Sequence, residues 1–311
     1  MKNRDLAESL LAIAGIRVNG DNPFDIQVHD SSLYDRMLNN PALELGETYM
    51  DGLWDCDALD EFINKVLLAR LDQKVPKNLA TALLVIRAKL LNFQNRSLSS
   101  HVAEKHYNLG NDLFRAMLDK RLAYSCGYWK NALNLDEAQE NKLNLICRKA
   151  GLKPGMTVLD LGCGWGSFAK YAAEVFDVRV VGYNISTEQV SLAKKLCSGL
   201  PVEIRQQDYR EAEGSYDAII SVGFCEHVGF KNYRTYMELC NRCLKEDGIS
   251  LLHTIGINNS SAYFNPWSAR YIFPNGMLPS VSLVAKSMEG IFVFEDLEDS
   301  VAAIISFGRL L

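Results

Sequence analysis

A run of nine residues, Val158 to Gly166 (VLDLGCGWG), constrains the fold more than any other part of the chain. Aliphatic residues lead to Asp160, glycines follow at every second position, and a helix-compatible stretch begins at Ser167. The pattern is that of a strand that turns on Gly162, Gly164 and Gly166 and feeds a helix. Glycine has no Cβ, so such a turn brings bare backbone against a ligand. The spacing is G-x-G-x-G, not the G-x-G-x-x-G of dinucleotide binders. This version suits a ligand without a pyrophosphate, such as S-adenosylmethionine with its amino-acid end over the loop.

The surrounding sequence repeats the strand-then-helix rhythm. Strands are expected at Thr157 to Leu161, Val178 to Tyr183, Val202 to Gln206, Ala218 to Val222 and Ile249 to Thr254. Helices are expected at Asn111 to Leu118, Leu135 to Ala150, Ser167 to Phe176, Thr187 to Cys197 and Tyr233 to Leu244. That alternation gives an α/β domain with a doubly wound, mostly parallel sheet, and ligands sit beyond the carboxyl ends of its strands. Residues 1–75 read instead as mixed short elements, with a first helix near Arg4 to Ala14. Leu79, Leu83, Ile86, Leu90 and Phe93 then mark one face of a helix, expected to pack on the protein's own core. The polar stretch Gln94 to Ser100 sets the expected boundary between a small N-terminal α+β domain, 1–95, and a second domain, 96–311.

A chain of 311 residues, 48% of them hydrophobic, can bury a large core. Its eight cysteines show no disulfide framework, and no apolar leader opens the chain, which favours a reducing cytosol. No apolar run approaches the ~20 residues that span a bilayer, so a soluble protein is expected. The net charge of −5 is unevenly placed: Lys65 to Arg96 holds seven basic residues against Asp72, +6, which leaves −11 elsewhere. That window suits either an anionic partner such as a phospholipid surface or a solvated helix face; nucleic acid fits less well.

A nicotinamide enzyme would carry an acid at the end of the second strand to grip the ribose. Here that strand ends Val181-Gly182-Tyr183-Asn184, and no carboxylate follows until Glu188. Asp208, after the third strand, stands where an acid could take the adenine amino group, or on an ordinary surface turn. Phe224 to Gly229, Leu251 to Gly256 and Tyr124 to Trp129 bring further polar residues to the same end of the sheet. A lone His253 among apolar neighbours would normally belong to the core. Glu226 and His253 at the tips of adjacent strands, however, read as a site. Cys240 and Cys243 have no second pair and fall in a helix, so they read as packing rather than zinc ligands.

Together these segments resemble the cyclopropane-fatty-acyl-phospholipid synthases and the related mycolic acid cyclopropane synthases. The resemblance rests on EKHYNLGNDLF (Glu104 to Phe114), YSCGYW, VLDLGCGWG, VVGYNIS with Gln189, CEHVG, LLHTIG and YIFPNG (Tyr271 to Gly276), in uninterrupted order. LGETYMDGLWDCD (Leu45 to Asp57) is similar to the phospholipid-acting bacterial members. The resemblance implies a class I methyltransferase (Rossmann-like) sheet and methylene transfer from S-adenosylmethionine to the cis double bond of phospholipid acyl chains. It places Gly162, Gly164 and Gly166 at the methionine end of the cofactor, with Tyr107, Tyr124 and Ser125 closing over it, and Asp160 is expected among the cofactor-binding residues. Asn184 and Gln189 would replace the missing ribose carboxylate. Cys126, Glu226, His253 and Ile255 match positions that hold bicarbonate, Cys126 and Ile255 through backbone groups. The ion would act as general base and stabilise a substrate cation, behind apolar walls such as Phe224, Tyr128 and Trp129. It also implies a peripheral visit to the inner face of the membrane and a homodimer. Methylation without ring closure is an alternative outcome.

After Phe294-Glu295-Asp296 the match is expected to stop, and no tyrosine follows Tyr271 to complete the bicarbonate site. In a methyltransferase sheet the last strand inserts antiparallel between the fifth and sixth. The sixth is expected at Gly290 to Glu295; Val301 to Phe307 is an alternative filler of the last slot, against which the short connection after Glu295 counts. The expectation is therefore a shifted frame or truncation near codon 297, an unpaired strand edge, and a poorly active or inactive remnant that retains cofactor or membrane binding.

Overall fold

The computed structural model describes residues 2–71, 111–261, 263–274, 276–299 and 303–309. The expected helix over 79–93, the polar stretch 94–100, Tyr107 and most of the basic window lie outside the described residues. The chain divides into two compact units, Met1–Leu91 with Tyr263–Ile272, and Asn92–Ala262 with Phe273–Leu311. Residues 263–272, expected in the second domain, join the first.

The first unit contains α1 (Lys2–Ile13), β1 (Gln27–Val28), α2 (Ser32–Asn39), α3 (Pro41–Met50), β2 (Trp54–Asp55) and α4 (Leu59–Leu68), with β1 and β2 paired antiparallel. Leu11, Ile16, Ile26, Leu33, Trp54 and Phe62 form its core. Asp25 is buried, and its carboxylate accepts the amides of Arg17 (2.7 Å) and Asn22 (3.0 Å), fixing the turn that precedes β1.

The second unit contains α5 (Asn111–Met117), α6 (Leu135–Lys149), β3 (Thr157–Leu161), α7 (Ser167–Phe176), β4 (Arg179–Asn184), α8 (Thr187–Leu196), β5 (Val202–Gln206), β6 (Tyr216–Val222), α9 (Cys225–Val228), α10 (Tyr233–Cys243) and β7 (Leu244–Thr254). The late helix of the first unit is α11 (Pro266–Tyr271), after which the second unit resumes with α12 (Val281–Met288), β8 (Phe292–Asp299) and β9 (Ala303–Arg309). The seven strands form one sheet in the order β5-β4-β3-β6-β7-β9-β8. The first five are parallel, with β3 in the middle of them. Val158, Leu159 and Leu161 are fully buried, as a strand covered on both faces requires. On one face lies a core with Leu143, Ile146, Phe168, Ala169 and Ala172 from α6 and α7; on the other lies one with Tyr236, Met237 and Cys240 from α10. Cys240 and Cys243 both sit in this second core.

The expected open edge is not present. β9 pairs antiparallel with β7 along Ile249–Thr254 and with β8 on its other side, and so occupies the slot that was expected to stay empty. β8 does not stop at Glu295 but runs on through Asp296-Leu297-Glu298 to Asp299. Only residues 300–302 then separate it from β9, a length that suits neighbouring antiparallel strands. Lys149, in the last turn of α6, forms ion pairs with Asp296 and Glu298 of that extension.

Candidate active site

A cavity opens at the carboxyl ends of β3, β4, β5 and β6, where the chain leaves each strand at Gly162, Ile185, Gln207 and Gly223. Tyr124, Ser125, Asp160, Gly162, Gly164, Asn184, Gln189 and Asp208 all line it. Gly166 does not, contrary to expectation. It precedes α7, and a Cβ there would lie 3.0 Å from Cys197 Sγ and 3.4 Å from Ala193 Cβ, so this glycine serves the packing of α7 on α8.

The other two glycines differ in a telling way. At Gly162 (φ +81) a Cβ would fall 2.4 Å from Cδ2 of Phe224, so protein already fills that side. Gly164 (φ +54) has nothing within 4 Å of a built Cβ, a bare backbone facing open space. The Gly162 and Cys163 amides donate to the Tyr183 carbonyl (3.0 and 3.1 Å), and Asn184 Nδ2 donates to the Gly164 carbonyl (3.1 Å). Asn184 Nδ2 also donates to Gln189 Oε1 (2.8 Å), while its own Oδ1 accepts the Ser186 amide (3.1 Å). The β4 end is thus an amide network with no carboxylate, tied to the glycine turn.

Asp160 is 2% exposed, its Oδ2 has no partner, and burial pushes its carboxyl up to about 8. An unpaired acid in a cavity wall is suited to a cationic group such as a ligand ammonium. Asp208 Oδ1 accepts the Arg210 amide (2.9 Å), and its Oδ2 pairs with Arg210 Nη1 (2.8 Å). It therefore faces the cavity with its charge already matched.

Cys126, Glu226, His253 and Ile255 do not line this cavity. Glu226, on α9, is buried, and its Oε1 accepts the Ile255 amide (2.8 Å). Burial raises its carboxyl, which the Ile255 amide partly offsets, and Oε2 has no partner. His253, near the tip of β7, is 3% exposed, and its carbonyl accepts the Gly223 amide (2.9 Å). Burial, reinforced by the Lys142 ammonium, lowers its imidazole to about 3, so it is neutral at pH 7 with Nδ1 unpartnered. Two orphaned polar atoms near adjacent strand ends fit a small oxyanion that accepts and donates hydrogen bonds. Cys126 is half-buried with a free thiol, and Ile255 is partly exposed. Of the expected apolar walls, Phe224 lines the cavity; Tyr128 and Trp129 do not, and Trp129 is 51% exposed.

Sequence reasoning missed Lys142 and Gln139. Both lie on the buried face of α6, and the signal was available: a lysine and a glutamine at the spacing of Ala138, Leu143 and Ile146.

Fold and cavity together define a methyltransferase of the class I, S-adenosylmethionine-dependent type. The mycolic acid cyclopropane synthetase family model matches residues 94–303, which carries the match past Asp296, where sequence had ended it. The cyclopropane-fatty-acyl-phospholipid synthase of Escherichia coli (strain K12) is 50% identical over 291 residues, 94% of this chain and 76% of that protein. Cyclopropane mycolic acid synthase 1 of Mycobacterium tuberculosis (strain ATCC 25618 / H37Rv) is 36% identical over 207 residues, 60% of this chain and 72% of that one. Among solved structures, mycolic acid cyclopropane synthase CmaA1 complexed with SAH and CTAB has a TM-score of 0.60 at 33% identity, covering 64% of this chain and 76% of that one. The chain belongs to the mycolic acid cyclopropane synthetase family.

Proposed function

We propose that the protein transfers a methylene group from S-adenosylmethionine to the cis double bond of unsaturated phospholipid acyl chains, forming cyclopropane fatty acids, with bicarbonate as general base. The observation that carries this reading is the open backbone at Gly164, in one cavity with an unpaired Asp160 and the Asn184–Gln189 pair. Family membership and the 50% identity to a phospholipid-acting synthase supply the substrate class.

When bound, S-adenosylmethionine supplies an electrophilic methyl group and bicarbonate a base; the protein's part is to bind, orient and exclude water. Asp160 and Gly164 would hold the methionine end, and Asn184 and Gln189 the ribose hydroxyls. Tyr124 and Ser125, on the cavity wall, would flank the methyl. Glu226 and His253 fit the oxyanion through their unpartnered Oε2 and Nδ1, with the Ile255 amide fixing the Glu226 carboxylate. A neutral His253 leaves a negative ion to balance the positive charge that develops on the alkene carbon. Phe224, packed edge-on against Tyr209 (ring centroids 5.2 Å apart), keeps one wall apolar where water would quench that cation.

Among the described residues no helix is long and apolar enough to cross a membrane. The proposed substrate requires a peripheral visit to a phospholipid surface at the inner face of the membrane, and the +6 charge of Lys65 to Arg96 favours an anionic one. Incubation with S-adenosylmethionine and vesicles of cis-unsaturated phospholipid, followed by mass spectrometry of the acyl chains, tests the reading. The expected product gains one CH2 and loses its double bond. A methylated chain that remains unsaturated, or no turnover at all, would refute it.

A further inference from the structure

The buried stripe of α6 is apolar at Ala138, Leu143, Ile146 and Cys147, yet Gln139 and Lys142 interrupt it. Both reach the same residue of the cavity wall. Gln139 Nε2 donates to the Ser125 carbonyl (2.7 Å), and Lys142 Nζ donates to Ser125 Oγ (2.8 Å). Lys142 is 1% exposed and itself lines the cavity. No carboxylate forms an ion pair with it among the described residues. Asp119 acts on it through space, but the Asp119 carboxylate already accepts the Arg121 (3.0 Å) and Ala123 (2.7 Å) amides.

A buried ammonium held by one neutral hydroxyl is costly, and burial lowers Lys142 to about 8. An aliphatic side chain would occupy the same helix position without that cost. The arrangement becomes favourable once an anion enters. Because Ser125 Oγ accepts from Lys142, its own O–H is left to donate to the same anion.

Resting on the function proposed above, we propose that Lys142 is the counter-ion for a carboxylate-type oxyanion bound beside Ser125. Two sources share that chemistry. The methionine carboxylate of the cofactor would lie in the cavity that Lys142 and Ser125 line with Asp160 and Gly164. Free bicarbonate would lie toward His253 and Cys126, both of which interact electrostatically with Lys142.

Calorimetric titration with S-adenosylhomocysteine and with 5′-methylthioadenosine, which lacks the amino-acid end, forms one arm of the test. The rise in melting temperature of the S-adenosylhomocysteine-loaded protein with bicarbonate, against chloride at equal ionic strength, forms the other. If the cofactor carboxylate is the partner, Lys142→Met weakens S-adenosylhomocysteine by roughly 10- to 100-fold and leaves methylthioadenosine unchanged. If bicarbonate is the partner, the variant keeps both nucleoside affinities and loses the bicarbonate-specific rise. Should Lys142→Met not fold, Ser125→Ala decides by the same two arms, with a smaller loss. Unchanged behaviour in both arms, or a parallel fall for both nucleosides, overturns the proposal. Wild-type protein that binds neither nucleoside overturns the function itself, a result distinct from failure at Lys142.

Discussion

Replacing Gly162 and Gly164 separately with alanine separates a glycine required by the fold from one required by the ligand. Both residues have positive φ, +81 and +54, where a Cβ costs roughly 1–2 kcal/mol. At Gly162 the added methyl also meets Phe224 Cδ2 at 2.4 Å, and displacing a packed ring adds roughly 1–3 kcal/mol. Gly162→Ala should therefore lose about 2–5 kcal/mol, and Gly164→Ala only about 1–2. For a domain of this size those losses lower the melting temperature by about 4–20 °C and about 2–8 °C respectively. Affinity should rank the other way relative to stability. Gly164→Ala, folded and only mildly destabilised, places its methyl where the cofactor is proposed to lie. It should bind S-adenosylhomocysteine at least about tenfold more weakly, a loss of ~1.4 kcal/mol. Thermal melts and calorimetric titration of both variants measure the two quantities. Wild-type affinity in Gly164→Ala would refute the argument, because the open space beside that residue would then not be the ligand's.

Asp160, raised by burial from the ordinary 3.8 of an aspartate to about 8, binds protons more tightly folded than unfolded. Its contribution is therefore fully present below about pH 4 and lost as pH rises through about 8. In thermal melts without ligand, Asp160→Asn should match wild type near pH 4 and exceed it at pH 8. His253 acts in the opposite direction: lowered to about 3 from 6.5, it favours the folded state above about pH 6.5 and loses that contribution as pH falls toward 3. His253→Gln should flatten the acid limb of the stability profile, and an unchanged limb would contradict a buried neutral imidazole. Asn184→Asp puts a carboxylate against the Gly164 carbonyl and Gln189 Oε1, both acceptors, and should cost roughly 1–3 kcal/mol with a parallel loss of S-adenosylhomocysteine affinity. Chemical denaturation and calorimetry on that variant report the two losses.

The parallel core was readable because its signals are local. Val158, Leu159 and Leu161 are aliphatic on both faces, and a strand buried on both faces leaves that mark, so the expected bounds of β3, β5 and α7 coincide with the structure. β8 was cut short because Asp296-Leu297-Glu298-Asp299 is acidic and poor in strand formers. What accompanies its extension is tertiary: pairing with β9, and the sequence-distant Lys149 against Asp296 and Glu298. Around the cavity, residues at strand ends were legible from position alone. Lys142 was not, since one lysine in a charged helix reads as a solvated face until its register with Ala138 and Ile146 is counted. Gly166 followed the glycine pattern of the turn, but its neighbours Cys197 and Ala193 come from another helix.

The return of Tyr263–Ile272 to the first unit affects how that unit can be inherited and handled. The Trp267 indole stands where a Cβ on Gly46 would go, 2.3 Å from its Nε1, and Arg270 and the Tyr271 hydroxyl both engage Glu47 (2.6 and 2.9 Å). A fragment cut after Leu91 would lack all three partners, leaving α3 with a naked groove and Glu47 with only the more distant Arg36 (3.8 Å). The polypeptide crosses between the units more than once, so neither gene fusion nor a single protease nick can detach one intact from the other.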